Sequence, residues 1–316
     1  MSKQRKRKLF FTALAFMLPF LILYTVFTIW PVIQGFYVSM HKWGLMGKQK
    51  YIGFDNYIKF AGDKKFWSAL GNTCKFVVIT APMLVIIALI LALLANRQTV
   101  MKKGLRISYY LPSILSVSVA SFIAKNTFSP YTGLLNGVLH QLHILPANTE
   151  LQFLLDPKLV WVVISVMTVW WTIGFTMMLY ISALQDIDMG IYEAASIDGA
   201  TSTQQLFRIT LPLLRPTTEL VVLLQLIACF KVFGQIQLIT GGGPAGSTKP
   251  LIQYIYETAF SKNNLGYAAA MSYVLFGILL VLSLAQLIMQ KRGGDKCCKH
   301  RNPQGVLLLI FFPSFL

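Results

Sequence analysis

The sequence contains few charged residues. Asp, Glu, Lys and Arg make up 12% of its 316 residues, whereas hydrophobic residues make up 55%. An average soluble domain carries about 25% charged residues, so this chain has too few charges to cover a water-exposed surface of its size. The composition therefore excludes a soluble enzyme and a disordered chain, and it indicates a membrane protein.

Residues and motifs that carry chemistry are also scarce. The four cysteines form no CxxC pair and have no histidine at metal spacing, so neither a disulfide framework nor a metal site is expected. The chain has no HExxH or GxSxG sequence and no paired carboxylates within its hydrophobic stretches, which argues against a membrane-embedded enzyme. It also has no GxxxxGK[ST] sequence. We therefore expect no catalytic residue, no cofactor and no nucleotide site in this chain.

Six hydrophobic stretches are long enough, or nearly so, to cross a membrane. A spanning helix needs about 20 mostly apolar residues. The fifth stretch is interrupted by Lys231, and Glu219 lies near its entrance. We therefore predict an all-α integral membrane protein with six transmembrane helices, at 9–30, 76–95, 107–124, 159–185, 217–240 and 263–290. The first stretch is longer than the apolar core of a secretory signal and ends without a small-residue cleavage site, so we interpret it as an uncleaved span.

The distribution of basic residues predicts the orientation. If the N-terminus is inside, the inner segments hold 16 of the 28 basic residues and all eight arginines; these segments are 1–8, 96–106, 182–216 and 291–316. Basic residues are retained on the cytoplasmic side, so we predict that both termini are cytoplasmic and that 31–71 is an extracytoplasmic loop. Orientation and attraction to anionic membrane lipid then account for the net charge of +17. Nucleic-acid binding is not expected.

The inner segment 182–216 has the signals of two short helices. Asp188 can cap the first helix, and Gly199 can take the positive φ that ends it. The pattern at 202–205 is that of a capping box for the second helix, and Pro212 and Pro216 then break or bend the chain. From physics alone this segment is either a docking surface or an amphipathic hairpin at the membrane without a partner.

The same segment contains Glu193-Ala194-Ala195, Gly199 after three residues, Ile209 after nine more, and Leu211-Pro212 after one more. This pattern resembles the EAA signature of membrane subunits of binding-protein-dependent ABC importers. Two outer stretches, 238–244 and 266–270, resemble the carbohydrate branch of that family. The resemblance covers roughly residues 5–292. The positions that match the signature are Glu193, Ala194, Ala195, Gly199, Ile209, Leu211 and Pro212.

The resemblance implies a type I permease fold with a transmembrane domain at 72–290 and coupling helices at 182–216. These helices would sit in a groove of a separate ATP-hydrolysing subunit, with Glu193 as the charged contact, Ala194 and Ala195 as the close-packing residues and Gly199 as the turn. Ile209, Leu211 and Pro212 would secure the second helix. The implied partners are a second homologous permease, two ATP-binding subunits and an extracytoplasmic solute-binding protein, at a bacterial or archaeal cytoplasmic membrane.

The polar residues of the fifth stretch suggest a solute path. A cation inside a span normally faces protein or a watery cavity. Lys231 and Gln235 are four residues apart, which places them on one face of a continuous helix, together with Gln225 and Gln237 as neighbours. They either line a path for a polar solute or satisfy one another.

The leading functional prediction is a permease subunit for a sugar or oligosaccharide. An importer of another polar solute and an ion-coupled secondary transporter are the alternatives, although no carboxylate lies well inside a predicted span. The tail 291–316 is predicted to be cytoplasmic, and the sequence indicates no function for it.

Overall fold

The computed structural model describes residues 3–96, 102–146 and 149–294. The part of the chain that it describes is mainly helical, and its two strands form one antiparallel hairpin. Residues 97–101 of the predicted basic inner loop, and nearly all of the predicted tail from 295 onward, lie outside the described residues.

Four helical segments are long and apolar enough to cross a membrane. Two further pairs of helices pass the same test together but are bent at a break. The described residues therefore provide four to six candidate spans, and the count of six stays a prediction. The four segments are Phe11–Ser39, Lys64–Asn96, Leu159–Gln185 and Leu265–Ile288.

The first span is longer than predicted. Helix α1 (Lys3–Tyr24) continues through a π-helical stretch (Thr25–Ile29) into α2 (Trp30–Ser39). The expected helix end at residue 30 is wrong. Pro31 lies in the first turn of α2, directly after the π-helical stretch. A proline, which lacks an N–H, is tolerated at that position, so the helix continues.

The predicted outer loop 31–71 is largely structured. After α2 the chain forms a hairpin of β1 (His41–Gly44) and β2 (Gly47–Tyr51), followed by α3 (Asp55–Ala61). Helix α4 (Lys64–Asn96) then begins twelve residues before the predicted second span.

The third predicted span is bent by 99°. It consists of α5 (Lys102–Tyr110), a 3₁₀ stretch (Leu111–Ile114) and α6 (Val117–Thr127). Pro112 lies in the 3₁₀ turn, and Ser116 is extended and caps α6 by accepting the N–H of Val119. A single straight helix at 107–124 is therefore wrong.

The remaining helices follow α6 along the chain. Helix α7 (Leu134–Gln141) precedes α8 (Leu159–Gln185), which has the predicted bounds. Three short elements follow α9 (Met189–Ile197), and the chain then bends by 60° into α12 (Arg215–Phe230), as the prolines predicted. The other elements are α10 (Ser202–Gln205), a π-helical stretch (Leu206–Thr210), α11 (Leu211–Leu213), α13 (Gly234–Ile239), α14 (Leu251–Tyr256), a π-helical stretch (Glu257–Ser261) and α15 (Leu265–Gly294).

The core lies between α4 and α8, with α12 packed on both. Small residues of α4, such as Ala88 and Ala92, are fully buried and allow the close approach that helix pairs in membranes favour. Large residues of α8, such as Met177 and Tyr180, fill the space opposite. Buried polar pairs add interhelical hydrogen bonds: Thr80 Oγ1 donates to Ser165 Oγ at 2.9 Å.

The hairpin is fixed to the bundle by buried polar side chains. The side chain of Asn56 is buried and donates to the carbonyl oxygens of Ser39 (2.8 Å) and His41 (3.2 Å). The ring of His41 is also buried, with Nδ1 2.7 Å from the Tyr37 carbonyl oxygen. The hairpin also packs on the start of α15, where a Cβ built at Gly266 would lie 2.0 Å from the carbonyl oxygen of His41.

A carboxylate ties α4 to α14 and α15. Asp63 Oδ2 accepts hydrogen bonds from the hydroxyls of Tyr254 (2.7 Å) and Tyr267 (2.8 Å), and Oδ1 accepts the N–H groups of Lys65 and Phe66. Burial raises the pKa of Asp63, but these hydrogen bonds outweigh it and hold the pKa below its usual value. Burial and the contact with Asp63 raise the pKa of Tyr254 to about 12.

We expect Asp63→Asn to destabilise the protein by about 1–2 kcal/mol at neutral pH, since it removes the ionised acceptor of two hydroxyls. Because the folded-state pKa is lowered, the contribution of Asp63 is present above its unfolded pKa of about 3.9 and is lost as pH falls below that value. Melting temperatures of the wild-type and variant proteins in detergent, measured from neutral to acid pH, test this contribution. Asp55→Asn changes an exposed carboxylate and is the control; equal melting of both variants at neutral pH contradicts the prediction.

We expect Gly266→Ala to lower stability by about 1–3 kcal/mol, because the added Cβ overlaps the backbone of the hairpin. The matched control is Gly277→Ala on the same helix, where a Cβ meets no atom within 4 Å. Thermal unfolding followed by size-exclusion chromatography compares the two variants. A Gly266→Ala protein as stable as the control shows that the hairpin does not pack there.

Candidate functional site

The first helix of the inner segment begins where the sequence predicted. Asp188 is extended and its Oδ1 accepts the N–H of Gly190 at 2.9 Å, so the capping role of Asp188 is confirmed. This cap fixes the start of α9, the helix that carries Glu193, Ala194 and Ala195.

The turn after α9 requires a glycine. Gly199 has φ +77°, and a Cβ there would meet no atom within 4 Å, so the requirement is conformational and not steric. The N–H of Ala200 returns to the carbonyl oxygen of Ala195 at 2.9 Å, which closes the helix end. The positive φ predicted for Gly199 is confirmed.

The second helix begins one residue earlier than predicted. Thr201, and not Ser202, is the N-cap: its Oγ1 accepts the N–H of Gln204, and Gln204 Oε1 accepts the N–H of Thr201 at 2.8 Å. The physical reason is that Thr201 is extended whereas Ser202 is already helical, and only an extended residue aims its hydroxyl at the third N–H.

Side-chain hydrogen bonds hold the two helices together. The hydroxyl of Tyr192 lies 2.9 Å from Oγ1 of the buried Thr210, and Gln205 Nε2 donates to Ser196 Oγ at 2.9 Å. We call residues 186–214 the inner knob. Its two helices are joined by a tight turn and two hydrogen bonds, so the inner knob is a rigid unit between α8 and α12.

One face of α9 is exposed. Met189, Glu193 and Ile197 are spaced at i, i+4 and i+8 and therefore share a side of the helix. Met189 is 67% and Ile197 87% exposed. Within the described residues Glu193 has neither an ion pair nor a hydrogen-bond partner. An exposed carboxylate between two large exposed apolar side chains forms a surface suited to another protein.

The other signature residues differ in exposure. Ala194 and Pro212 are exposed, whereas Ala195, Ile209 and Leu211 are half-buried. Sequence reasoning missed Tyr192, Ser196 and Thr210, and it placed Gln205 in the capping box, whereas Gln205 contacts Ser196. Their contacts join residues 9 to 18 positions apart, and no local pattern indicates such pairs.

The predicted pairing of Lys231 and Gln235 on one helix face is wrong. Helix α12 ends at Phe230, and Lys231 is its C-cap, with its N–H bound to the carbonyl oxygens of Ile227 and Ala228. Gln235 belongs to a separate helix, α13. Phe233, between them, has φ −151° and is not helical, and the chain then packs on α6: a Cβ at Gly234 would lie 3.2 Å from Val117.

The polar side chains of this region therefore have separate environments. Lys231 is exposed and Gln235 is half-buried. Gln225, in contrast, is buried and donates to Thr176 Oγ1 of α8 at 2.8 Å, so it joins two helices. No group of three or more His, Cys, Asp or Glu within the described ranges is arranged to hold a metal.

The glycine-rich outer stretch is a packed turn. Gln253 Nε2 donates to the carbonyl oxygen of Gly241 at 2.8 Å, and Thr248 Oγ1 donates to that of Gly243 at 2.6 Å. Asn72 of α4 donates to the carbonyl oxygens of Gly246 and Lys249. These contacts fix the turn to α4.

We expect Gly199→Val to weaken the turn of the inner knob by about 1–2 kcal/mol, because a left-handed φ is unfavourable for a residue with a Cβ. Hydrogen exchange at the N–H of Ala200 should accelerate roughly tenfold. Gly199→Asn is the control, since Asn tolerates this conformation. Equal protection in both variants contradicts the prediction.

Comparison with known proteins identifies the family. A family model described as "Binding-protein-dependent transport system inner membrane component" matches residues 59–293. The probable ABC transporter permease protein YurN of Bacillus subtilis (strain 168) is 31% identical, over 89% of this chain and 96% of YurN. The lactose transport system permease protein LacF of Rhizobium radiobacter is 34% identical, over 86% and 91%.

A solved structure agrees with the sequence comparisons. The chain superposes with a TM-score of 0.81 and 25% identity on a chain from the crystal structure of a bacterial alginate ABC transporter in complex with an alginate pentasaccharide-bound periplasmic protein. The match covers 92% of this chain and 97% of that one. The protein therefore belongs to the family of binding-protein-dependent transport system inner membrane components, and it is a multi-pass membrane transport subunit and not an enzyme.

Proposed function

We propose that this chain is a permease subunit of an ATP-driven importer of a sugar or oligosaccharide. The observation that carries the proposal is the inner knob: a rigid unit that bears the full EAA signature and exposes Met189, Glu193 and Ile197 on one face. Such a face, in a chain of this family, is suited to a motor subunit that drives transport.

In this proposal Glu193 makes a charge-assisted hydrogen bond to a basic group in the groove of the ATP-hydrolysing partner. Ala194 and Ala195 let the two backbones approach closely, and Gly199 sets the angle between the helices. Ile209, Leu211 and Pro212 hold the second helix against the bundle. ATP is bound by the partner, and this chain carries no cofactor.

The mechanism is mechanical. Closure of the ATP-binding dimer moves its groove, and the groove moves the inner knob. Because α8 ends at Gln185 and α12 begins at Arg215, the inner knob passes that motion to two helices of the bundle. The bundle then alternates between openings to the two sides of the membrane.

The proposed assembly has a second homologous permease, two ATP-binding subunits and an extracytoplasmic solute-binding protein. If each bent pair counts as one span, the chain has six spanning helices, and an even number supports both termini lying on one side of the membrane. The basic residues of the inner segments support the cytoplasmic side of a bacterial or archaeal membrane for both termini. The outer hairpin then faces the extracytoplasmic side.

A carbohydrate solute is supported by the relatives. LacF is a lactose transport permease, and the superposed transporter was solved with an alginate pentasaccharide-bound periplasmic protein. Lys231 and Gln235 remain our proposed path residues. They lie on either side of the break between α12 and α13, and irregular backbone at membrane depth is tolerated where it is packed in protein or lines water.

We expect Glu193→Lys to lower two activities by about tenfold or more: solute uptake by cells, and the solute-stimulated ATPase activity of the assembly purified in mild detergent. The reason is that the variant places a cation against a basic groove. Membrane insertion should be unchanged. Glu150→Lys reverses an exposed carboxylate in the predicted outer stretch and is the control. Full activity of Glu193→Lys, or the absence of any ATP-hydrolysing subunit from the purified assembly, contradicts the proposal.

A further inference from the structure

The outer hairpin carries a pair of unpartnered cations. Lys42 and Lys50 are directly opposite in the register of β1 and β2, and both are exposed. Opposite residues on an antiparallel pair have Cβ atoms about 4.5–5.5 Å apart on the same face, and like charges there are destabilising. Within the described residues neither lysine has an ion pair or a hydrogen-bond partner.

The third lysine of the hairpin has a different environment. Gln49 is the extra residue of a bulge, because Lys42 pairs with Lys50 whereas Trp43 pairs with Lys48. The Nζ atom of Lys48 lies 5.0 Å from the centre of the Tyr37 ring and donates to the Tyr37 hydroxyl. Lys48 is therefore satisfied within the protein, and the unpaired charge is confined to Lys42 and Lys50.

The tip of the hairpin is apolar and exposed. Met46 is 98% and Leu45 58% exposed. The tip is nevertheless held in place, since the N–H of Leu45 bonds to Asn263 Oδ1 and Gly44 packs against Asn263. A rigid strand pair thus presents two cations and an apolar tip. Because these residues are already held in place, binding of a partner loses little conformational entropy.

The length of the preceding helix places this surface above the lipid. The segment Phe11–Ser39 has 29 residues, which makes it about 43 Å long at 1.5 Å per residue. The hydrocarbon core is about 30 Å thick, and each headgroup layer adds roughly 5–8 Å. Even with a tilt of about 20°, the helix ends near the outer limit of the headgroups.

The hairpin follows directly from that point, since only Met40 separates α2 from β1. Its base contacts Gly266 in the first turn of α15, whereas its tip contacts Asn263, which precedes that helix. Both ends of the hairpin therefore lie at the start of α15, beside the end of the long first span. This position favours a soluble protein over lipid headgroups as the occupant.

We propose that Lys42, Lys50 and the tip residues Leu45 and Met46 form a docking surface for an acidic face of the importer's solute-binding protein. The proposal rests on the proposed function for the existence of that partner. The paired cations supply the long-range attraction that speeds the encounter, and the apolar tip supplies the contact that is buried on docking.

The test is a titration of the ATPase activity of the reconstituted importer with the solute-binding protein that purifies with it. In Lys42→Glu/Lys50→Glu the half-saturating concentration should rise about tenfold or more, with unchanged maximal activity. Met46→Ser should raise it about tenfold as well. The wild-type value should rise with salt, and the dependence should weaken in the lysine variant.

The control is Lys158→Glu, which reverses an exposed charge at the start of α8, on the same predicted side of the membrane. An unchanged half-saturating concentration in the lysine variant overturns the docking surface, and so does an equal shift in the control. A shift seen only in bilayers containing phosphatidylglycerol, and not in phosphatidylcholine alone, assigns the lysines to lipid and also overturns it. A wild-type assembly that does not respond to the binding protein at any concentration contradicts the proposed function itself.

Discussion

A chain inside a bilayer must satisfy its own backbone N–H and C=O groups, and this constraint governs the architecture. It explains why nearly all the hydrophobic sequence is helical. It also explains where helices are interrupted. Val117 follows the break before α6, and Gly234 follows the break before α13. These two residues pack against each other, so each break is covered by protein. At these breaks, the side chain of Ser116 accepts a backbone N–H of α6, and the N–H of Lys231 binds carbonyl oxygens at the end of α12. Backbone groups that the breaks leave without a helical partner are thereby satisfied.

The two ends of the bundle are built differently from its middle. In the middle, small residues and a few buried polar pairs hold helices together. At the ends, the contacts are those common in soluble proteins. Asp188 caps a helix at one end, and the Asp63 carboxylate accepts hydrogen bonds from two tyrosines at the other. Polar contacts therefore hold the elements at both ends of the bundle in place.

Local signals in the sequence predicted much of this structure. Helix α8 has its predicted bounds because an uncharged run is bordered by charged residues, Lys158 and Asp186. Asp188 and Gly199 acted as predicted because a cap and a left-handed turn depend on the residue itself. Hydropathy, however, scores a bent run and a straight run alike, so the bend near Pro112 and Ser116 in the third span was missed.

The errors at the candidate site have a common cause. Lys231 and Gln235 were assigned to one helix because a single glycine, Gly234, does not by itself end a helix. The packing of α13 against α6 at Gly234 is a tertiary contact that the sequence does not show. The choice between Thr201 and Ser202 depends on backbone angles that either residue can adopt. The contact of Tyr192 with Thr210 and the seat of the hairpin on Gly266 join distant positions, which a single sequence does not relate.

The direct junction between the inner knob and α12 has a further consequence. Arg215 follows Leu214, which is buried, without any linker, and α12 has 16 residues, which makes it about 24 Å long. A pivot of about 10° at Leu214 would therefore sweep the far end of α12, where Lys231 lies, by about 4 Å. The carbonyl oxygen of Glu219 in α12 accepts a hydrogen bond from Gln286 Nε2 of α15 at 2.6 Å. Because of this contact, α15 would move together with α12. A small displacement of the inner knob would thus become a larger displacement of both helices at mid-membrane depth.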